Sequence, residues 1–299
     1  ILWERGPLSR SELQHLTGLK LTTLVRGLED LERNGFIVEC GQGESTGGRR
    51  PTLYKINRSR AALIGVDISR TYVKVGWMDM RSQLKESHTI LLDESHTPEK
   101  VVSIIVDSIK SFSFYDPVLG IGIGAVGPLN IDKGQILNPI HFPSPGWDDL
   151  HIVEMLEERT GYPAFLENGA NCAALAEFYF GEANGCRSAG YIHIGVGIRS
   201  GVLNHGRLVR AMDNRDDILG HMIVDMNGKA CYCGRYGCLE AYCSLSAMSE
   251  EYINGFKRGR SFDVLKRYKG SIESINHYQL FKEEKRGDPL AIQIIMDGA

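Results

Sequence analysis

No apolar run in the 299 residues approaches the ~20 needed for a membrane-spanning helix, so no such anchor is expected. Nothing in the chain resembles a secretory leader. It also lacks internal repeats and low-complexity segments, which sets aside an array of repeated units. Charge of one sign is not in large excess: 34 Lys and Arg stand against 37 Asp and Glu, a net charge of −3. The balance is uneven along the chain. Residues 1–60 hold ten Lys/Arg against seven Asp/Glu, whereas the remainder holds 24 against 30. A small basic head on a larger acidic body points to nucleic acid for the head alone. With 42% apolar residues the chain exceeds one ordinary domain and can bury a sizeable core.

What is present is concentrated at residues 220–240. Cys231, Cys233 and Cys238, three of the seven cysteines, fall within eight residues, and His221 stands ten positions before the first. Three thiolates and an imidazole complete a tetrahedral Zn²⁺ shell and leave no position for a reacting water, so the predicted site is structural. Gly234 and Gly237 allow the tight turns that would bring the sulfurs to one point. The alternative is three free thiols or a redox dithiol; cysteine spacing together with a placed histidine favours zinc. Cys40, Cys172, Cys186 and Cys243 lack metal-ligand spacing and are expected to be small buried apolar residues. Reduced cysteines and no leader give a cytoplasmic expectation.

In the head, residues 9–34 read as two short amphipathic helices. Ser9 or Ser11 is expected to cap the first, with Leu13 and Leu16 inward; Gly18 makes the turn. Thr22 or Thr23 is expected to cap the second, whose Leu24, Leu28 and Leu31 recur at helical spacing before Gly35 ends it. This helix-turn-helix would present Lys20, Thr22, Thr23 and Arg26 to a major groove. Two alternating strands then flank a Gly-rich loop, a β-hairpin wing whose tip carries Arg49 and Arg50 before Pro51. Such a tip suits the narrow minor groove of A·T-rich DNA. The bland alternative is a helical protein-interaction domain with a solvated basic loop.

From Ala61 the texture changes. A hairpin is predicted over 61–79 and a buried strand over 118–128. Helices are predicted over 99–112 and 150–160, and a Gly-rich strand pair over 189–206. The alternation indicates an α/β domain with a mixed sheet. The charged stretch 255–286 reads as solvated helices. Asp288 and Pro289 open an apolar helix that has barely begun when the sequence stops, so elements completing this domain are expected beyond it.

Four segments resemble the ROK family (repressors, open reading frames and sugar kinases), in its repressor branch. They are S-R-S-E-L with T-G-L in the head, the G-R-R-P wing, E-N-G-A-N-C-A-A-L-A-E at 167–177, and G-H…C-Y-C-G-R-Y-G-C-L-E at 220–240. The resemblance runs from about Gly6 to Ala299. It implies a winged helix-turn-helix over 1–60 followed by a two-lobed actin/hexokinase-like (ribonuclease H-like) body. Its lobes would be 61–180 and 181–299, with a sugar cleft between them, assembled as a homodimer or a dimer of dimers.

Set against the family's kinases, three phosphate-handling features are missing. The Asp-x-Gly-Gly-Thr turn reads Asp67-Ile68-Ser69-Arg70-Thr71, placing side chains where phosphates need bare backbone. The second phosphate loop loses its Thr and gains Arg199 between Gly197 and Gly201. The catalytic Asp of Glu-Asn-Asp-x-Asn is Gly169, and losing a general base costs roughly 10²–10⁴-fold in rate. By motif position Asn168, His221 and Glu240 match sugar-contacting groups, His221 doubling as a zinc ligand. Two departures weaken that match: Ile218 replaces a family Glu, and Pro143-Ser144 replaces an Asn. The reading is a DNA-binding regulator of carbohydrate genes, probing duplex operator DNA and answering to a sugar, a sugar phosphate or a partner protein. The rival is an ATP-dependent sugar kinase that kept a DNA-binding head. A third option is a DNA binder with a vestigial cleft.

Overall fold

The computed structural model describes residues 1–43, 50–115, 117–139, 142–210, 219–268, 271–272 and 275–298. The chain forms two compact units, Ile1–Gly169 and Ala170–Ala299.

The first unit opens with α1 (Leu2–Arg5) and a short strand, β1 (Leu8–Ser9). Ser9 caps α2 (Arg10–Thr17) through a reciprocal pair: its Oγ accepts from the Glu12 amide, and the Glu12 carboxylate accepts from the Ser9 amide at 2.7 Å. Gly18, at φ 65°, closes that helix in the left-handed region a glycine tolerates best. In α3 (Leu21–Arg33) the N-cap is Lys20, without a side-chain cap bond, not Thr22 or Thr23, which lie inside the first turn. Leu24 and Leu28, one turn apart on this helix, point inward. They join Leu13, Ile37 and Tyr54 in a small core, while Leu31 stays exposed and Leu16 half-buried, contrary to expectation. The stripe is shorter than its periodicity because this core ends there. β2 (Ile37–Gln42) and β3 (Thr52–Ile56) pair antiparallel as the expected hairpin, in the order β1-β3-β2. Arg49 and the rest of 44–49 lie outside the described residues.

The same unit continues with β4 (Ala62–Ile68), β5 (Tyr72–Met78), β6 (Leu84–Leu91), α4 (Pro98–Ser111) and β7 (Val118–Ala125). A cis Gly127–Pro128 peptide leads to the small pair β8 (Leu129–Asn130) and β9 (Gln135–Ile136), then α5 (Ile152–Thr160) and β10 (Ala164–Asn168). The sheet order is β10-β7-β4-β5-β6; β10, β7 and β4 run parallel, and β5 and β6 antiparallel, the mixed sheet expected. Alternate residues of β4 (Ala62, Ile64, Val66, Ile68) are buried in one apolar core with Val101, Val102 and Ile105 of α4 and Ile152 and Leu156 of α5. This register sets the carboxyl ends of the parallel strands side by side, Ile68 against Ala125 and Ala125 against Asn168. Open α/β sheets bind ligands at that edge.

The second unit begins with α6 (Gly169–Phe180), which follows β10 without a break. β11 (Ser188–Ile194), β12 (Ile198–Asn204) and β13 (Arg207–Leu208) form an antiparallel meander. The cysteine-rich segment follows, then α7 (Glu240–Cys243), α8 (Leu245–Lys257), α9 (Phe262–Arg267), α10 (His277–Lys285) and α11 (Pro289–Gly298). Met248, Tyr252, Phe256, Leu280, Leu290 and Ile294 form their core. Within the charged stretch 255–286, α9 and α10 are helical but not merely solvated. Glu283 is 0% exposed and accepts hydrogen bonds from Arg267, from the Tyr268 hydroxyl at 2.8 Å and from Arg286 at 2.6 Å. The four remaining cysteines also depart from expectation: Cys186 is exposed, and Cys40, Cys172 and Cys243 are half-buried. None of them sits on a fully covered face, so spacing alone misjudged their burial. Among the described residues no helix is long and apolar enough to cross a membrane.

Candidate functional site

His221, Cys231, Cys233 and Cys238 converge as their spacing predicts. Their ligand atoms all lie within 4.8 Å of one another. Cys231 Sγ is 3.7 Å from His221 Nδ1, and Cys233 Sγ is 3.7 Å from Cys238 Sγ. Around Zn²⁺ with usual bond lengths, a tetrahedron requires about 3.8 Å between sulfurs and about 3.6 Å from sulfur to nitrogen. The donors therefore fit the ion. Backbone chemistry holds them there: Cys231 N–H donates to Arg235 O at 2.8 Å, and Gly234 N–H to Cys231 O at 3.0 Å. Gly237, at φ 72°, passes so close to the Asp225 carbonyl that no β-carbon fits. Without a cation the thiols cannot ionise together. Burial pushes the Cys231 thiol up to about 12 and raises Cys238. Cys233 is held low despite burial, by hydrogen bonds from Arg235 and its sister thiols. A bound divalent ion removes that conflict by stabilising all three thiolates.

Two residues past Cys238, Glu240 begins α7. Its amide donates to Gly220 O at 2.8 Å, which fixes it beside the residue preceding His221. The carboxylate is 4% exposed; Oε2 accepts from the Ile198 amide at 2.5 Å, and Oε1 is buried without a partner among the described residues. An unmatched buried acceptor costs roughly 1–3 kcal/mol. A ligand hydroxyl would offset that cost. Asn168 ends β10 in the first unit, buried at the carboxyl edge of the parallel strands. Ser144 is spent internally: its Oγ donates to His96 O at 2.6 Å and accepts from Trp147 Nε1 at 3.1 Å. Ile218 lies outside the described residues.

The positions matched to phosphate handling carry side chains. Ser69 N–H donates to Tyr72 O at 2.9 Å in the β4–β5 turn, the Tyr72 hydroxyl donates to Asp67 at 2.8 Å, and Arg70 is buried there. Arg199 sits on β12 opposite His193, half-buried. Gly169 opens α6, and a β-carbon there would stand 3.6 Å from Ala125 O. In the head, Lys20, Thr22, Thr23 and Arg26 are all exposed, because Leu24 and Leu28 turn the opposite side of α3 inward. Glu29, Asp30 and Arg33 follow on the outer side, and Arg33 pairs with Asp30 at 3.1 Å, so the net positive charge of α3 lies in its first turns. Arg50 is exposed on the hairpin. Reading leucines as core by default overlooks Leu19 and Leu21, both exposed beside Lys20; a break in the inward phase was the available signal.

Residues 63–297 match the ROK family. The chain is 32% identical over 270 residues to a xylose repressor of Bacillus spizizenii, covering 88% of this chain and 68% of that protein. It is 33% identical over 232 residues to a glucokinase of Thermotoga maritima, covering 78% and 72%. The solved structure of a ROK family transcriptional regulator, described as a homolog of the Escherichia coli MLC protein, aligns with a TM-score of 0.74 at 23% identity. That alignment spans 98% of this chain and 74% of the other.

Proposed function

Because the chain belongs to the ROK family, we propose that it is a DNA-binding transcriptional regulator of the repressor type, governing carbohydrate-metabolism genes. The exposed Lys20-Thr22-Thr23-Arg26 face at the start of α3 carries this reading. A helix N-terminus entering the major groove, with Arg49 and Arg50, which lie between the two hairpin strands in sequence, against a minor groove, is the docking that this order of elements serves. A homodimer, or a dimer of dimers, would match a two-fold operator. Asn168, His221 and Glu240 would engage a sugar or sugar-phosphate effector, the orphaned Glu240 Oε1 accepting from a hydroxyl. Zn²⁺ on His221, Cys231, Cys233 and Cys238 would serve as a structural tie. The effector acts by favouring one arrangement of the heads, a shift in population.

We read the body as catalytically inactive, supported by Gly169, which offers no proton acceptor, and by Arg70 and Arg199 at the phosphate-loop positions. Two measurements test the proposal. The full chain should bind a duplex from its own promoter region with an affinity that falls steeply with salt. A coupled ADP-release assay over hexoses and N-acetylhexosamines should stay at background. Turnover well above background would instead support a sugar kinase with a DNA-binding head.

A further inference from the structure

Leu19 and Leu21 flank Lys20 at the start of α3 and are 44% and 51% exposed. By spacing, Leu21 belongs to the stripe of Leu24 and Leu28, yet those two are buried and Leu21 is not. The core of Leu13, Ile37 and Tyr54 ends before reaching it. Single exposed leucines are ordinary; the position of this pair is not. Leu21 shares a shallow groove along α3 with Thr22, Val25, Arg26, Glu29, Asp30 and Arg33, and Lys20 and Arg26 supply exposed positive charge in the first turns of that helix. Glu29 and Asp30 line its far end and Arg33 pairs with Asp30 at 3.1 Å, so the net positive charge lies in the first turns. The N-terminal residues of a recognition helix meet base edges, and the apolar group a B-form major groove presents there is the thymine C5-methyl.

We propose that Leu19 and Leu21 read thymine methyl groups in each operator half-site, making them specificity-determining residues. The proposal rests on the regulator reading and adds to it the base being read. Lys20 and Arg26 hold the duplex, and the leucines exclude water from the methyls.

The test uses the full chain and the duplex it enriches from a random library. Each thymine in that duplex is replaced in turn by deoxyuridine, which removes the methyl and nothing else. Binding should weaken about fourfold for each methyl contacted. In L21A and L19A the thymine–uracil difference at the corresponding position should vanish, while affinity for the deoxyuridine duplex stays within about twofold of the unmodified chain. Equal binding of thymine and uracil duplexes by the native chain would overturn the proposal. So would variants that lose affinity equally for both duplexes, since that marks a structural or protein-contacting role. If no duplex is enriched, the regulator reading itself fails, and this proposal with it.

Discussion

A β-carbon at Gly169 would make only an ordinary contact, 3.6 Å from Ala125 O, so the backbone there accepts a β-carbon. We expect Gly169→Asp to fold and still release no ADP with any hexose, because Arg70 remains buried in the β4–β5 turn and Arg199 on β12. Turnover in G169D would mean that only the base had been lost. On the DNA side, Lys20→Ala should weaken binding to all duplexes alike. The slope of log affinity against log salt should fall by about one, the mark of a lost phosphate contact; an unchanged slope in a salt titration would remove Lys20 from the interface. The identity of these side chains was readable in the sequence. The exposure of Leu21 was not, since helical spacing cannot say where a core stops.

Among the elements, α10 shows how charge can act from inside a fold. Glu283 is fully buried, yet its carboxyl stays below the usual range: burial alone would raise it, and donors on Arg267, Tyr268 and Arg286 more than offset that. A depressed folded value means that the native state releases this proton more readily than the unfolded chain. Its stabilisation is therefore present above the unfolded carboxylate value of about 4.3 and is lost as pH falls through the lower folded value. Glu283→Gln should cost about 1–3 kcal/mol at pH 7, the arginines being half-exposed and able to recruit water. In urea melts the gap from the native chain should narrow toward pH 3, and a constant gap would contradict this account. The helices themselves were legible from periodicity and capping. The cap of α3 was misplaced on Thr22 or Thr23: the helix begins at Leu21 with no side-chain cap, so both threonines lie in its first turn.

At the scale of the whole molecule, the cysteine segment gathers four candidate ligands, and metal should report on the unit of residues 170–299. Chelation, or His221→Ala, should lower the melting temperature by at least about 5 °C, with recovery when zinc is returned to the chelated native chain. Melts unaffected by metal would remove the structural role. The convergence of three cysteines and a histidine, the order of head elements, the mixed α/β body and the missing Asp were determined by the sequence alone. Each is a matter of residue type at short spacing, and short spacing sets local geometry. The tertiary structure decided the exposure of Leu19 and Leu21, the burial of Glu283 and the half-paired state of Glu240. That carboxylate meets an amide 42 residues away and leaves one oxygen unmatched. Which face finds a partner depends on segments far along the chain, and no local pattern carries that information.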